Sequence, residues 1–173
     1  MKQIYIHPKR KTKVVFVQLG SPSEPTTKAL RKYLRKFLGD PRVVDINPWL
    51  WKIILNFFVL PFRPKKSAKL YARIWDGKNF PLITNTRDFT NNVREELKKI
   101  DPNGHVEVNH AFLLSPPYVN EVYDSWEDDL KKGIGATKLL VIPMFPQYSE
   151  STIASGIDAL AKELSKRVKI PTF

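Results

Sequence analysis

Val14-Val15-Phe16-Val17-Gln18-Leu19 is a short apolar run rich in β-branched residues. Such a run leaves neither face in water, so it predicts a strand buried on both sides, as in a parallel sheet. Gly20-Ser21-Pro22 stops it with a turn. Lys138 to Phe145 predicts a second buried strand. Val106, Val108 and His110 alternate with Glu107 and Asn109 and run into Ala111-Phe112-Leu113, another strand. Val168 to Phe173 reads as the start of a further one.

Helical periodicity fills the gaps. Leu30, Leu34, Phe37 and Leu38 share a face after Thr26 or Thr27 as cap, and Gly39-Asp40-Pro41 ends that helix. Lys66 to Trp75 reads as a helix. Phe89, Val93 and Leu97 mark another, ending near Asp101-Pro102-Asn103-Gly104. Pro116-Pro117 opens a helix whose apolar face is Val119, Val122, Tyr123, Trp126 and Leu130. Thr152 opens a last one with Ile153, Ile157, Leu160, Ala161 and Leu164. Strands alternating with helices predict an α/β domain: a parallel sheet with helices on both faces, in three layers. Ligands of such sheets bind beyond the strand C-termini. That directs attention to Leu19–Pro22, Leu113–Pro117 and Phe145–Thr152. The 173 residues fit one domain, 1–173.

Pro48 to Phe62 stands apart. Only Lys52 and Asn56 are polar among Trp49, Leu50, Trp51, Ile53, Ile54, Leu55, Phe57, Phe58, Val59 and Leu60. The stretch is shorter than the ~20 residues that span a bilayer. A helix apolar nearly all round belongs either in a core or against a membrane or partner, and both remain open here.

Composition excludes several classes. A hydrophobic fraction of 42% is too high for a disordered chain. With no cysteine there is no disulfide scaffold, thiol nucleophile, Cys-type zinc site or Cys-ligated iron–sulfur cluster in this chain. The start, Met1 to Lys13, is basic and carries no apolar signal core, which reads as an intracellular, cytoplasmic protein. The net charge of +12 asks for an anionic partner: nucleic acid, acidic lipid or a carboxylate-bearing ligand. No RNA-binding aromatic signature, zinc-finger spacing or helix-turn-helix pattern accompanies it, so nucleic acid is not expected. There is no G-x-S-x-G elbow, no Walker A loop, no dinucleotide fingerprint and no H-E-x-x-H. His7, His105 and His110 have no metal-ligand spacing, and His110 reads as a packed strand histidine.

Two places remain for chemistry. Pro146-Gln147-Tyr148-Ser149-Glu150-Ser151-Thr152 joins a buried strand to a helix, where hydroxyls and free N–H groups suit a polar or anionic ligand. From spacing alone, capping of the helix by Ser149, Ser151 or Thr152 is the simpler reading. Arg63-Pro64-Lys65-Lys66 follows the apolar stretch directly, with Tyr71 two turns on. Cations at a helix start oppose its dipole, which favours a ligand or membrane role.

Four segments together resemble the ferrochelatase family. Val15-Phe16-Val17-Gln18-Leu19-Gly20-Ser21-Pro22 resembles its first strand and loop, and Phe37-Leu38-Gly39-Asp40-Pro41-Arg42-Val43-Val44 its FL-DPRVV stretch. Leu60 to Tyr71 is similar to its LPLRPKKSAE-Y segment, and Phe145 to Thr152 to its YPQYS-ST loop. The resemblance implies a fold of two similar halves, each Rossmann-like or flavodoxin-like, with a porphyrin cleft between them. It implies insertion of Fe²⁺, a substrate, into protoporphyrin IX to make protohaem, without choosing between protoporphyrin and its coproporphyrin relative. This chain would be the N-terminal half. By the match, Arg63 and Tyr71 hold the porphyrin, Leu19 lies above the macrocycle, and Pro146, Gln147, Tyr148, Ser149 and Thr152 form the cleft wall. Trp49, Leu50, Trp51, Ile54, Phe57 and Phe58 match a lip by which some members rest on a membrane.

Departures accompany the match. Gln18 stands where many members have Asn, Phe145 where Tyr is commoner, and Leu113 where several have Arg or Lys. Phe80 takes the place of a Ser that contacts a porphyrin propionate. The family's metal-binding His and Glu match no position in this chain. The expectations are therefore no catalytic or metal residue here, no resident cofactor, inactivity of this half alone, and continuation beyond Phe173. A non-catalytic porphyrin-binding or membrane-peripheral module is the alternative. Oligomeric state is left open.

Overall fold

A computed structural model describes residues 11–133 and 136–167. The expected strand at 168–173 lies outside the described residues, as does His7. Three strands, β1 (Thr12–Gln18), β2 (Val106–Phe112) and β3 (Lys138–Pro143), form a parallel sheet in the order β2-β1-β3. In register, Val17 of β1 faces Ala111 of β2 and Pro143 of β3. With the first strand central and the third outside it, this is the order that opens a flavodoxin-type sheet.

Alternation along β1 explains why the sheet is covered twice. Val15 and Val17 pack with Ala111, Leu139 and the buried Val119, Tyr123 and Trp126 of α5 (Val119–Lys131). Leu160 and Leu164 of α6 (Ser155–Leu164) join this layer. Val14 and Phe16 point the other way, onto Val93 and Leu97 of α4 (Pro81–Ile100). Trp126 locks its layer, its indole N–H donating to the Ala136 carbonyl at 2.6 Å. The parallel α/β sandwich read from the sequence is the fold observed.

α1 (Thr27–Leu38) is capped by Thr26, whose hydroxyl accepts from the Ala29 N–H at 3.2 Å. It packs on α3 (Arg63–Tyr71), and its Tyr33, Leu34 and Leu38 cluster with Leu55, Leu60 and Leu114. The apolar stretch forms α2 (Pro48–Ile54) and then a π-helical turn, Leu55–Val59. A turn of 3₁₀ helix, Ala72–Ile74, follows α3.

Several features differ from the sequence expectation. α4 begins eight residues before Phe89, because its first turns are packed by Thr86 and Thr90, which are buried and return their hydroxyls to the Leu82 and Thr86 carbonyls. β3 ends at Pro143 and not Phe145, although the Met144 N–H still donates to the Val17 carbonyl. Lys13, part of an apparent surface cluster, is buried on β1, 3.5 Å from both Glu107 and Asp129.

Candidate functional site

The loops after β1 and β3 are tied together side by side. Gln18 does this with both ends of its amide: Nε2 donates to the Met144 carbonyl at 2.8 Å, and Oε1 accepts from the Leu19 N–H at 2.9 Å. Leu19 is half-buried at this junction, and its carbonyl accepts from the Leu114 N–H of the loop after β2. Three strand ends thus converge on Leu19.

Gly20 follows with φ +93°, a region that L side chains rarely adopt. A Cβ there would overlap the Ser115 hydroxyl. That hydroxyl accepts from the buried Ser21 N–H at 3.3 Å. The close approach of the two loops floors a cavity of about 360 Å³. Ser21, Ser23, Lys32, Lys36, Asn79 and Ser115 supply its polar lining; Tyr33, Trp75, Phe80 and Tyr118 supply its aromatic walls. Tyr33 donates its phenol O–H to the Gly20 carbonyl, and burial first, then Tyr71, pushes its ionisation well above the usual phenol range. It stands as a neutral donor.

Tyr71, half-buried, packs beside this cavity, its ring 5.5 Å from that of Phe80 and 6.3 Å from that of Tyr33. Phe80 is 2% exposed, wedged between Tyr71 and Trp75. Arg63 is exposed in the first turn of α3.

Pro146, Gln147 and Tyr148 are exposed in the loop after β3. Ser149 leads into a π-helical turn, Glu150–Ala154. Capping by a side chain, the simpler sequence reading, does not occur. The Ser149 backbone carbonyl takes the N–H groups of Thr152, Ile153 and Ala154 at 3.3, 3.0 and 3.3 Å. The hydroxyls bond to one another instead: Ser149 to Ser151 at 3.0 Å, and Thr152 to Ser149 at 3.1 Å. The helix that follows the loop is pinned by Arg42, whose guanidinium makes two contacts with Asp158 of α6 at 2.7 and 3.2 Å and holds that carboxyl below the usual range. This clip and the cavity lysines were not legible as site features, since exposed cations on a helix read as a solvated face.

The apolar stretch splits in two. Trp51 and Ile54 are half-buried and Leu55 and Leu60 are buried against α1. Trp49, Leu50, Ile53, Phe57, Phe58 and Phe62 are each more than half exposed, Trp49 reaching 78%. From Ile46 to Trp75 there is no Asp or Glu, against six Lys or Arg. Exposed apolar area on this scale marks a contact surface. Among the described residues no helix is long and apolar enough to cross a membrane.

A second hollow of about 210 Å³ lies beside β2, lined by Lys13, Arg94, Glu107, His110 and Glu121. Burial, then Arg94 and Arg87, holds the His110 imidazole below its ordinary pKa. Among the described residues no group of three or more acidic or histidine side chains could hold a metal ion.

The family model for ferrochelatase matches residues 11–173. The chain is 42% identical over 158 residues to a ferrochelatase of Idiomarina loihiensis, covering 91% of this chain and 42% of that protein. It is 39% identical over 160 residues to a ferrochelatase of Marinobacter nauticus, with 92% and 42% covered. It is also 39% identical over 165 residues to a coproporphyrin III ferrochelatase of Streptococcus mutans, with 95% and 49% covered. The chain thus spans less than half the length of these relatives. Motifs, sheet order and a match running through all three strands agree: the chain belongs to the ferrochelatase family.

Proposed function

We propose that this chain forms one wall of the porphyrin cleft of a ferrochelatase, which inserts Fe²⁺ into protoporphyrin IX in haem biosynthesis. The supporting observation is the convergence of three strand ends on Leu19, with Tyr71 linked to this junction through Tyr33, which bonds to the Gly20 carbonyl, and the loop after β3 linked to it through Gln18 and Met144. In this reading Leu19 lies over the macrocycle, Arg63 pairs with a propionate and Tyr71 packs beside it. Pro146, Gln147, Tyr148, Ser149 and Thr152 line the wall, and Phe80 backs Tyr71 without offering a hydrogen bond.

The chain's contribution to the reaction is binding and shape. Insertion requires the two pyrrole N–H protons to leave as the metal enters, and a bent macrocycle exposes the nitrogen lone pairs. Loops locked together where Gly20 meets Ser115 can hold a wall firm against a flat ligand and sustain that strain. Proton acceptors and metal ligands belong to residues that this chain does not match. The 173 residues by themselves are therefore expected to be inactive. The exposed face of Trp49–Phe62 rests on a membrane surface, and the protein is cytoplasmic and peripheral.

The test is a Zn²⁺- or Fe²⁺-insertion assay on the 173-residue chain alone and joined to a family second half carrying the His and Glu. Turnover is expected only in the joined protein. Turnover by the chain alone would refute the division of labour, and porphyrin binding without turnover in the joined protein would favour a non-catalytic module.

A further inference from the structure

Several exposed ion pairs of this chain sit within one helix, three residues apart: Glu95 with Lys98, Glu96 with Lys99, Asp128 with Lys131. Arg42 and Asp158 differ. They lie 116 residues apart and join the connection between α1 and α2 to the first turn of α6. Their side chains are 42% and 53% exposed, and a pair in that setting contributes little to global stability. Two contacts between one guanidinium fork and one carboxylate nevertheless fix direction as well as distance.

Both ends of the pair are anchored. On one side, Asp40 Oδ1 accepts from the Arg42 N–H at 2.8 Å, and the Asp40 carbonyl accepts from the Val43 and Val44 N–H groups at 3.0 and 3.2 Å. Val43 and Val44 then pack on the cluster of Leu38, Leu55 and Leu60. On the other side, α6 starts directly after the π-helical turn, with Ser155 and Gly156 buried and the Ser155 hydroxyl donating to the Glu150 carbonyl at 3.2 Å. Pro146, Gln147 and Tyr148 are exposed between two fixed points: Gln18 on Met144 before them, and this turn after them. Helical turns of the π type are rare and occur mostly singly, often at functional sites. Arg42 pins the helix that continues this one.

We infer that Arg42 and Asp158 are positioning residues: their ion pair holds the start of α6, and through the π turn the Gln147–Ser149 loop, in place against the α1–α2 connection. The inference rests on the porphyrin reading above, in which that loop lines the cleft, and it acts without either side chain touching the ligand. Without the pair the loop samples other positions, and affinity falls by the fraction of chains that keep it in place. The modest strength of an exposed pair bounds that loss at about fivefold.

The test compares the full 173-residue chain with its Arg42→Gln, Asp158→Asn and doubly substituted forms, each checked by circular dichroism. Hydrogen exchange reads the turn, and porphyrin fluorescence reads binding of protoporphyrin IX. In every variant the Thr152, Ile153 and Ala154 amides, which bond to the Ser149 carbonyl, should exchange about fivefold faster. Each single substitution should weaken binding by a similar factor, and the two together no more than either alone. A role confined to global stability would leave binding unchanged, because the chain stays folded under the assay, and that result would overturn the inference. Loss with Arg42→Gln but not with Asp158→Asn would make Arg42 a ligand contact and overturn it too, as would additive losses or unaltered exchange. Failure of the unsubstituted chain to bind porphyrin would overturn the porphyrin reading itself, with the exchange rates still deciding whether the pair holds the turn.

Discussion

Replacing Gly20 with Ala tests how the floor of the cavity is built. At φ +93° an L residue pays a conformational cost of about 1–2 kcal/mol. The new Cβ would also overlap the Ser115 hydroxyl and lie 3.0 Å from Phe112 Cβ and 3.2 Å from the Ser115 nitrogen. Ser115 must then turn away, which orphans the buried Ser21 N–H at a further cost of about 1–3 kcal/mol. The expected destabilisation is about 2–5 kcal/mol. Gly77 is the control. It has the same φ, but a Cβ there meets nothing within 4 Å, so Gly77→Ala carries only the conformational part. Urea unfolding followed by tryptophan fluorescence measures both. In the Gly20→Ala/Ser115→Ala pair the costs should be less than additive, because both lose the same hydrogen bond. Gly20→Ala no costlier than Gly77→Ala would refute the close-approach argument.

Further outcomes follow from other parts of the molecule. Trp49→Ala/Phe57→Ala/Phe58→Ala removes side chains 67–78% exposed, so stability should change little while co-sedimentation with anionic vesicles falls; unchanged sedimentation would remove the membrane lip. Arg63→Ala in the joined protein should weaken porphyrin binding more than vesicle binding, and equal loss of both in the two assays would count against a propionate partner. His110 has a folded pKa below 6.5, so the unfolded chain takes up its proton first, and stability should decline as pH falls below about 6.5. His110→Gln should flatten that decline in pH-dependent urea melts, and an unaltered slope would show that other groups cause it. Trp126→Ala should cost about 3–5 kcal/mol in the same melts, since the indole is 2% exposed and satisfies the Ala136 carbonyl.

The sheet was legible because β1 is apolar on both faces, and a doubly buried strand admits few architectures. The start of α4 was not, because threonines pack its buried side and hydropathy does not register them. For the site, the segments around Leu19, Tyr71 and Gln147 could be read from motif order alone. What joins them could not: Gln18 bridges two loops through hydrogen bonds to residues 126 positions apart and next door, and spacing carries no sign of that. Lys32 and Lys36 were hidden for a related reason. A lysine facing solvent and a lysine facing a cavity have the same place in a helical pattern, and only the loop after β2 tells them apart. The apolar stretch resolved into both of its alternatives, one face in the core and one exposed, because α1 covers a single side of α2 and the π turn.

The central claim is that the strand-end loops form a porphyrin wall. Amide chemical-shift mapping of this 20.0 kDa chain on addition of protoporphyrin IX tests it most directly. Shifts should concentrate on Leu19–Ser21, Tyr71 and Gln147–Ser149. Shifts centred on the groove of Lys13, Arg94 and His110, or spread without a centre, would contradict it.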